Sequence, residues 1–181
     1  MKKYVYIIFT FSGTIPSRII RRTIRNPFSH VAIALNDHFD IMYSFARKYI
    51  HNPFNGGFVF ENIEKGLIGK IVSIPCRIYS IEVTEEEYQK VVSILQQFIR
   101  KKNRLKYNYI GLLSTFLKVP ITPKDSYFCS QFVSTVLNES HLIHLEENPV
   151  FISPKALECY LQKFKIVYEG DLKKIKSYIY N

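Results

Sequence analysis

Cys129 lies in the run Tyr127-Phe128-Cys129-Ser130-Gln131-Phe132-Val133, and its surroundings predict a thiol nucleophile. Pro120 and Pro123 mark a loop, after which Asp125 or Ser126 can cap a helix running to about Leu137. With Ser126 as the cap, Cys129 occupies the third helical position, inside the first turn. Unsatisfied amides and the positive end of the helix dipole favour a thiolate there. Phe128, Phe132, Val133, Val136 and Leu137 form an apolar stripe, and Cys129 falls at its edge, anchored yet able to reach a cleft. The same place also suits a small buried core residue, a common fate of free cysteine. Cys76 follows Pro75 in a strand, and Cys159 lies within a helix between Glu158 and Tyr160. Neither has a helix N-terminus to activate it, so both read as structural. No CxxC pair exists, which removes zinc-ribbon and dithiol redox chemistry, and an odd number of thiols fits a reducing compartment.

A thiolate hydrolase needs a base that shares its proton and later returns it to the leaving group. His38 falls in a turn, His51 in a loop, and His141 and His144 beyond the cysteine helix. His30 is different. It opens a strand between Ser29 and Val31, and its alternate neighbours Ala32 and Ala34 are small enough to let a helix end pack closely. A strand histidine can equally be a satisfied core residue. A third group should orient the imidazole. A hairpin turn centred on Asp37 places Ser44 across from His30, with Met42 and Asp40 on the same face, and a one-residue bulge would bring Tyr43 there instead. Glu61, the lone acid after Phe58-Val59-Phe60, is the remaining candidate, with an outward-facing edge position as its other reading.

The elements around these residues are readable from pattern. Residues 3 to 11 predict a strand, residues 12 to 14 a loop, and Pro16 opens a short Arg-rich helix that Asn26-Pro27 closes. Residues 29 to 35 and 39 to 47 form a hairpin around Asn36-Asp37-His38. Residues 58 to 63 and 71 to 83 read as further strands, after a loop carrying Gly56-Gly57. Thr84 with Glu87 forms a capping box for a helix to about Lys102, whose basic end suits the dipole. Tyr107 to Leu117 predicts a helix, Ser153-Pro154 caps another through Leu161, and residues 165 to 168 close with a strand. Strands and helices in this mixture make one α+β domain over residues 1 to 181.

Composition constrains partners. The formal net charge of +10 favours an anionic cell-wall polymer, an acidic lipid surface or nucleic acid, and no nucleic-acid motif accompanies it. The apolar stretch after Lys2-Lys3 is short and lacks a small-x-small cleavage site, so a buried first strand is the better reading. No run approaches the roughly 20 apolar residues of a membrane span. The expectation is a cytoplasmic protein, with peripheral membrane association as a variant of it, and with no cofactor and no metal.

The ordered stretches Phe28 to Leu35, Met42 to Lys48, Gly57-Phe58, Tyr127 to Val133, Ser153-Pro154 and Tyr168-Glu169-Gly170 resemble a bacterial branch of the permuted NlpC-type papain-like peptidases. YiiX-like and lecithin:retinol acyltransferase-like proteins are relatives of that branch. The resemblance implies a circularly permuted papain-like fold, in which a His-bearing antiparallel sheet precedes the Cys-bearing helix. It implies Cys129 as nucleophile and His30 as base. Relatives often carry His, Glu or another polar group on the strand after the histidine. Here that strand offers only Asp40, Tyr43 and Ser44, with Ser44 the preferred orienter. The implied reaction is acyl transfer, with the Cys129 amide as one oxyanion donor; the sequence identifies no second donor, and a side chain near Thr10 to Thr14 is one candidate. A cysteine peptidase or amidase acting on a small peptide or amino-acid amide, wall-derived in one version, is the leading expectation. A thiol acyltransferase or lipid esterase working at anionic membrane is the second, and a non-enzymatic basic binding module the third.

Overall fold

The computed structural model describes residues 2–11, 27–48, 55–111 and 123–175. Its strands in chain order are β1 (Lys3–Thr10), β2 (His30–Ala34), β3 (Met42–Arg47), β4 (Gly56–Glu61), β5 (Pro75–Val83), the two-residue β6 (Lys106–Tyr107) and β7 (Ser126–Tyr127), and β8 (Lys165–Asp171). The helices are α1 (Gly66–Gly69), α2 (Glu85–Lys101), α3 (Cys129–Glu139) and α4 (Pro154–Leu161). Six strands form an antiparallel sheet in the order β4-β3-β2-β1-β5-β8, so the α+β expectation holds at that level.

The sheet is covered on both faces, which explains why β1 is apolar at consecutive positions. Val5, Ile7 and Phe9 enter a core shared with α2, α3 and α4, while Ile8 joins Ala32, Ala34, Met42, Leu172 and Ile175 on the other side. A strand buried on both faces loses the polar alternation of a half-exposed one. The expected capping box is present at α2: the Glu87 N–H donates to Thr84 Oγ1 at 3.2 Å, and the Thr84 N–H to Glu87 Oε2 at 2.8 Å. Buried Val91, Ile94, Leu95 and Phe98 form its inner face.

Three local readings change. Ser126 is not a helix cap, because it and Tyr127 pair in parallel with Lys106 and Tyr107. The helix therefore begins later, with Phe128 as N-cap in an extended conformation and Cys129 as its first residue. Tyr107 correspondingly belongs to β6, and helical backbone starts at Tyr109, where Asn108 Oδ1 accepts from the Gly111 N–H at 2.7 Å. The expected continuation to Leu117 lies outside the described residues, as do the loop at 12 to 14, the helix after Pro16 and most of the loop at 48 to 57. Finally, the strand expected from residue 71 begins at Pro75, since residues 72 to 74 carry no strand hydrogen bonding.

Helix and sheet are locked together by rings. Phe132 on α3 meets Phe45 at 5.3 Å, Phe58 at 5.5 Å and Phe98 at 4.9 Å between centroids. Tyr127 packs against Phe45 at 5.3 Å and Phe98 at 5.2 Å. Gly56 and Gly57 let the 105–109 segment approach β4. A Cβ at Gly57 would lie 2.4 Å from the Leu105 carbonyl oxygen, and one at Gly56 would lie 2.7 Å from Tyr107 Cβ. The glycine pair thus belongs to a strand against which Tyr107 lies, and flexibility of a loop is not its use.

Phe132 is fully buried and holds the turn that carries Cys129. Phe132→Ala is expected to lower unfolding free energy by about 3–5 kcal/mol in urea titrations, through lost contacts and the cavity left behind.

Candidate active site

His30 is the first residue of β2, opposite the buried Thr10 of β1. The β2–β3 ladder contains only Ile33↔Tyr43 and Ala34↔Met42, so His30 lies beyond its paired end. Its side chain is 18% exposed and that of Glu61, the last residue of β4, is 12% exposed. His30 Nε2 stands 3.0 Å from Glu61 Oε2. An ionised carboxylate only accepts, so Nε2 carries the proton and donates it to Glu61. The Cys129 side chain also acts on the imidazole, through hydrogen bonding and through its charge. The structure therefore brings together Cys129, His30 and Glu61.

Burial alone would pull the imidazole pKa down. The Glu61 charge outweighs it, together with the hydrogen bonds to Cys129 and Glu61 and the charge on Cys129, and His30 is held well above the usual histidine range. An imidazolium held against the Glu61 carboxylate is the form this surrounding selects.

Cys129 sits at the mouth of α3 and is 1% exposed. The Phe132 N–H donates to the Phe128 carbonyl at 2.9 Å, and the Phe128 N–H donates to Gln131 Oε1 at 3.3 Å. Ser130 Oγ donates to the Ile152 carbonyl at 2.7 Å, which ties the first turn to the segment preceding α4. The Cys129 amide is one of the helix's orphan donors.

Tyr107 was not among the residues singled out in the sequence, and the structure places it at Cys129. Its phenol hydrogen-bonds the Cys129 side chain and accepts from the Cys129 backbone N–H. Burial first, then the negative charge of Cys129 and of Tyr109, raises its pKa well above the usual phenol value, so the hydroxyl keeps its proton and can donate. Two backbone bonds fix it there: the Lys106 N–H to the Asp125 carbonyl and the Asn108 N–H to the Tyr127 carbonyl, both 2.9 Å. The only sequence cue was the glycine pair at 56 and 57, whose meaning depends on a partner 50 residues away.

Ser44 is not the group that orients His30. The pairs Ile33↔Tyr43 and Ala34↔Met42 both centre on residue 38, one beyond the expected Asp37, which moves the pairing by two residues. Ser44 instead pairs with Val59, fully buried, and its hydroxyl has no hydrogen-bond partner among the described residues. Tyr43 lies on the opposite face, its ring 6.3 Å from Phe58 and 5.7 Å from Phe60. Asp40 is exposed before β3, where its carbonyl accepts from Asn62 Nδ2 at 2.7 Å. Thr10 faces His30 across the β1–β2 ladder, and residues 12 to 14 are outside the described set.

Cys76 is buried in β5, and burial, followed by the charge of Asp171, pushes its thiol up to about 12, so it stays neutral and unreactive. Cys159 is exposed on α4. Among the described residues no group of three His, Cys, Asp or Glu could hold a metal ion, and no helix is long and apolar enough to cross a membrane.

Because Glu61 supplies the largest upward push on His30, Glu61→Gln should move the imidazole titration down, read by NMR of the His30 ring against pH. The raised pKa also stabilises the fold. That contribution is complete below about pH 6.5, where the unfolded imidazole is protonated too, and is lost as pH rises through the folded value. Urea midpoints of the wild type and Glu61→Gln should therefore differ most in acid and converge toward alkaline pH; a constant difference would exclude the linkage.

No protein-family model, curated protein or solved structure matches the chain, and the reading of this site rests on its own geometry.

Proposed function

We propose that the chain is a cysteine hydrolase of permuted papain-like design, cleaving an amide bond in a small peptide or amino-acid-containing substrate. The observation that carries this reading is one imidazole that meets a carboxylate through Nε2 at 3.0 Å and is also acted on by the Cys129 side chain. Nucleophile, proton carrier and orienter are then joined in the sequence that covalent acyl transfer needs.

The thiolate of Cys129 attacks the carbonyl carbon, forming an S–C bond as the carbonyl π pair moves onto oxygen. The Cys129 N–H and the Tyr107 O–H act on one another, and both can donate to that oxyanion. Imidazolium His30 gives its proton to the leaving nitrogen, the C–N bond breaks, and a thioester remains. Neutral His30 next takes a proton from water as the hydroxide adds to the thioester. Collapse releases the acid and restores the thiolate–imidazolium pair. Glu61 holds the ring and its charge throughout.

A brief iodoacetamide pulse at neutral pH, followed by peptide mapping, tests the pair. Cys129 should be alkylated in the wild type and about 10-fold or more slowly in His30→Ala, with exposed Cys159 the same in both. Equal behaviour of Cys129 in the two proteins would sink the reading. A screen of peptide-amide, ester and phospholipid substrates follows, with amide turnover expected; turnover confined to esters or lipids would replace amidase by esterase. On the best substrate, Tyr107→Phe should lower kcat by about 10²-fold with KM little changed. An unaltered kcat would remove Tyr107 from the oxyanion site.

A further inference from the structure

Beside Glu61, at the open edge of β4, lies a cavity of about 350 Å³ into which Arg47, Lys48, Lys65 and Lys102 converge, on a floor that includes Phe58 and Phe60. The volume suits a small-molecule fragment. Its charge is unbalanced: Glu61 is the sole carboxylate among the described residues of the lining, and that carboxylate is already engaged by His30. None of the four cations forms an ion pair among the described residues, although Lys2, Lys3, Arg77 and Lys90 all do. Lys102 stands 5.6 Å from the Phe60 ring centroid, which holds its ammonium over the cavity wall. Like charges gathered in a concave, partly apolar site repel one another and raise the local concentration of anions.

The cavity joins the reacting groups on two sides. Glu61 connects it to His30. Arg47 acts electrostatically on Tyr109, whose ring lies 4.5 Å from that of Tyr107, and Tyr107 touches Cys129. A ligand held by the four cations therefore lies beside the carboxylate that holds the proton carrier.

We propose that this cavity binds an oxyanion group, a carboxylate or a phosphate, on the substrate of the hydrolase, and so selects anionic substrates. The inference rests on the hydrolase reading of Cys129 and deepens it. Four of the 25 Lys and Arg residues are then used for substrate selection, with no acidic polymer or membrane required of them.

Thiol-directed reagents test this without knowing the substrate. Alkylation of Cys129 in the full chain is timed with the N-iodoacetyl derivatives of glutamate, of phosphoethanolamine and of glutamine amide, at low and high salt. An anionic reagent should react about 10-fold faster than the neutral one at low salt, and the advantage should shrink as salt screens the site. The faster of the two anionic reagents identifies carboxylate or phosphate. In Lys65→Gln/Lys102→Gln the ratio of anionic to neutral rates should fall toward one, while Lys163→Gln, a cation outside the cavity, should keep the wild-type ratio. Equal rates for all three reagents, or a preference that survives the double variant, would overturn the proposal while leaving the thiolate intact. Loss of the preference in Lys163→Gln as well would assign it to overall charge and also overturn it. Failure of the neutral reagent to alkylate Cys129 at all would instead bring down the hydrolase reading and this one with it. Sedimentation with phosphatidylglycerol vesicles that is lost in the double variant, without any reagent preference in the wild type, would assign the cavity to a membrane surface and refute the substrate role.

Discussion

The packing of Phe132 against Phe45, Phe58 and Phe98 sets how far α3 stands from the sheet, and the arrangement of reactive groups depends on that distance. Phe132 lies one helical turn beyond Phe128 and three residues beyond Cys129, so a shift of the ring is transmitted directly to the sulfur. Phe45 and Phe58 belong to β3 and β4, the strands that end near His30 and at Glu61. Close-packed aromatic interiors resist small displacements, which makes the cluster a better spacer than polar contacts at the site could be.

A partly buried imidazole is costly when charged and has no strong preference when neutral. Glu61 resolves this in favour of the charged form. A hydroxyl such as Ser44 could have fixed the ring's orientation, but it carries no charge to offset desolvation. The small side chains on the same face matter here: Ala32 and Ala34 on β2, with Ser44 on β3, leave space above the sheet for two longer side chains to meet. His30 and Glu61 come from strands separated by β3, and their contact requires that space.

Much of the fold was legible because it depends on local pattern. The Thr84–Glu87 box, the Ser153 cap with its Ala156 N–H at 3.2 Å, and the apolar run of β1 each follow from residues within one turn or one strand. The candidate site was legible in part for the same reason. Cys129 and His30 stand out through their immediate neighbours, whereas Glu61 and Tyr107 do not. Assigning Glu61 required the true centre of the 35–41 loop, where Phe39 adopts a positive φ of 52° and lengthens the turn. One residue of error in a turn centre becomes two in the pairing register. Tyr107 depended on a two-residue parallel pairing with residues 126 and 127, too short for any periodic signal. The same pairing removed Ser126 from its expected role as cap and made Cys129 the first helical residue.

Moving Cys129 from the third helical position to the first alters its electrostatic setting as well as its numbering. At the first position the residue's own amide lies at the free end of the helix and is available to a neighbouring oxygen, here the Tyr107 hydroxyl. A third-position residue would have presented an amide directed back toward a capping side chain. The later helix start therefore supplies a donor beside the sulfur, and the β6–β7 pairing responsible for that start also delivers the phenol that meets it. One short backbone interaction thus sets both the start of the Cys129 helix and the position of Tyr107. This makes the 106–107 segment, although it follows α2 as an unremarkable connection in the sequence, as much a part of the site as the strand that carries His30.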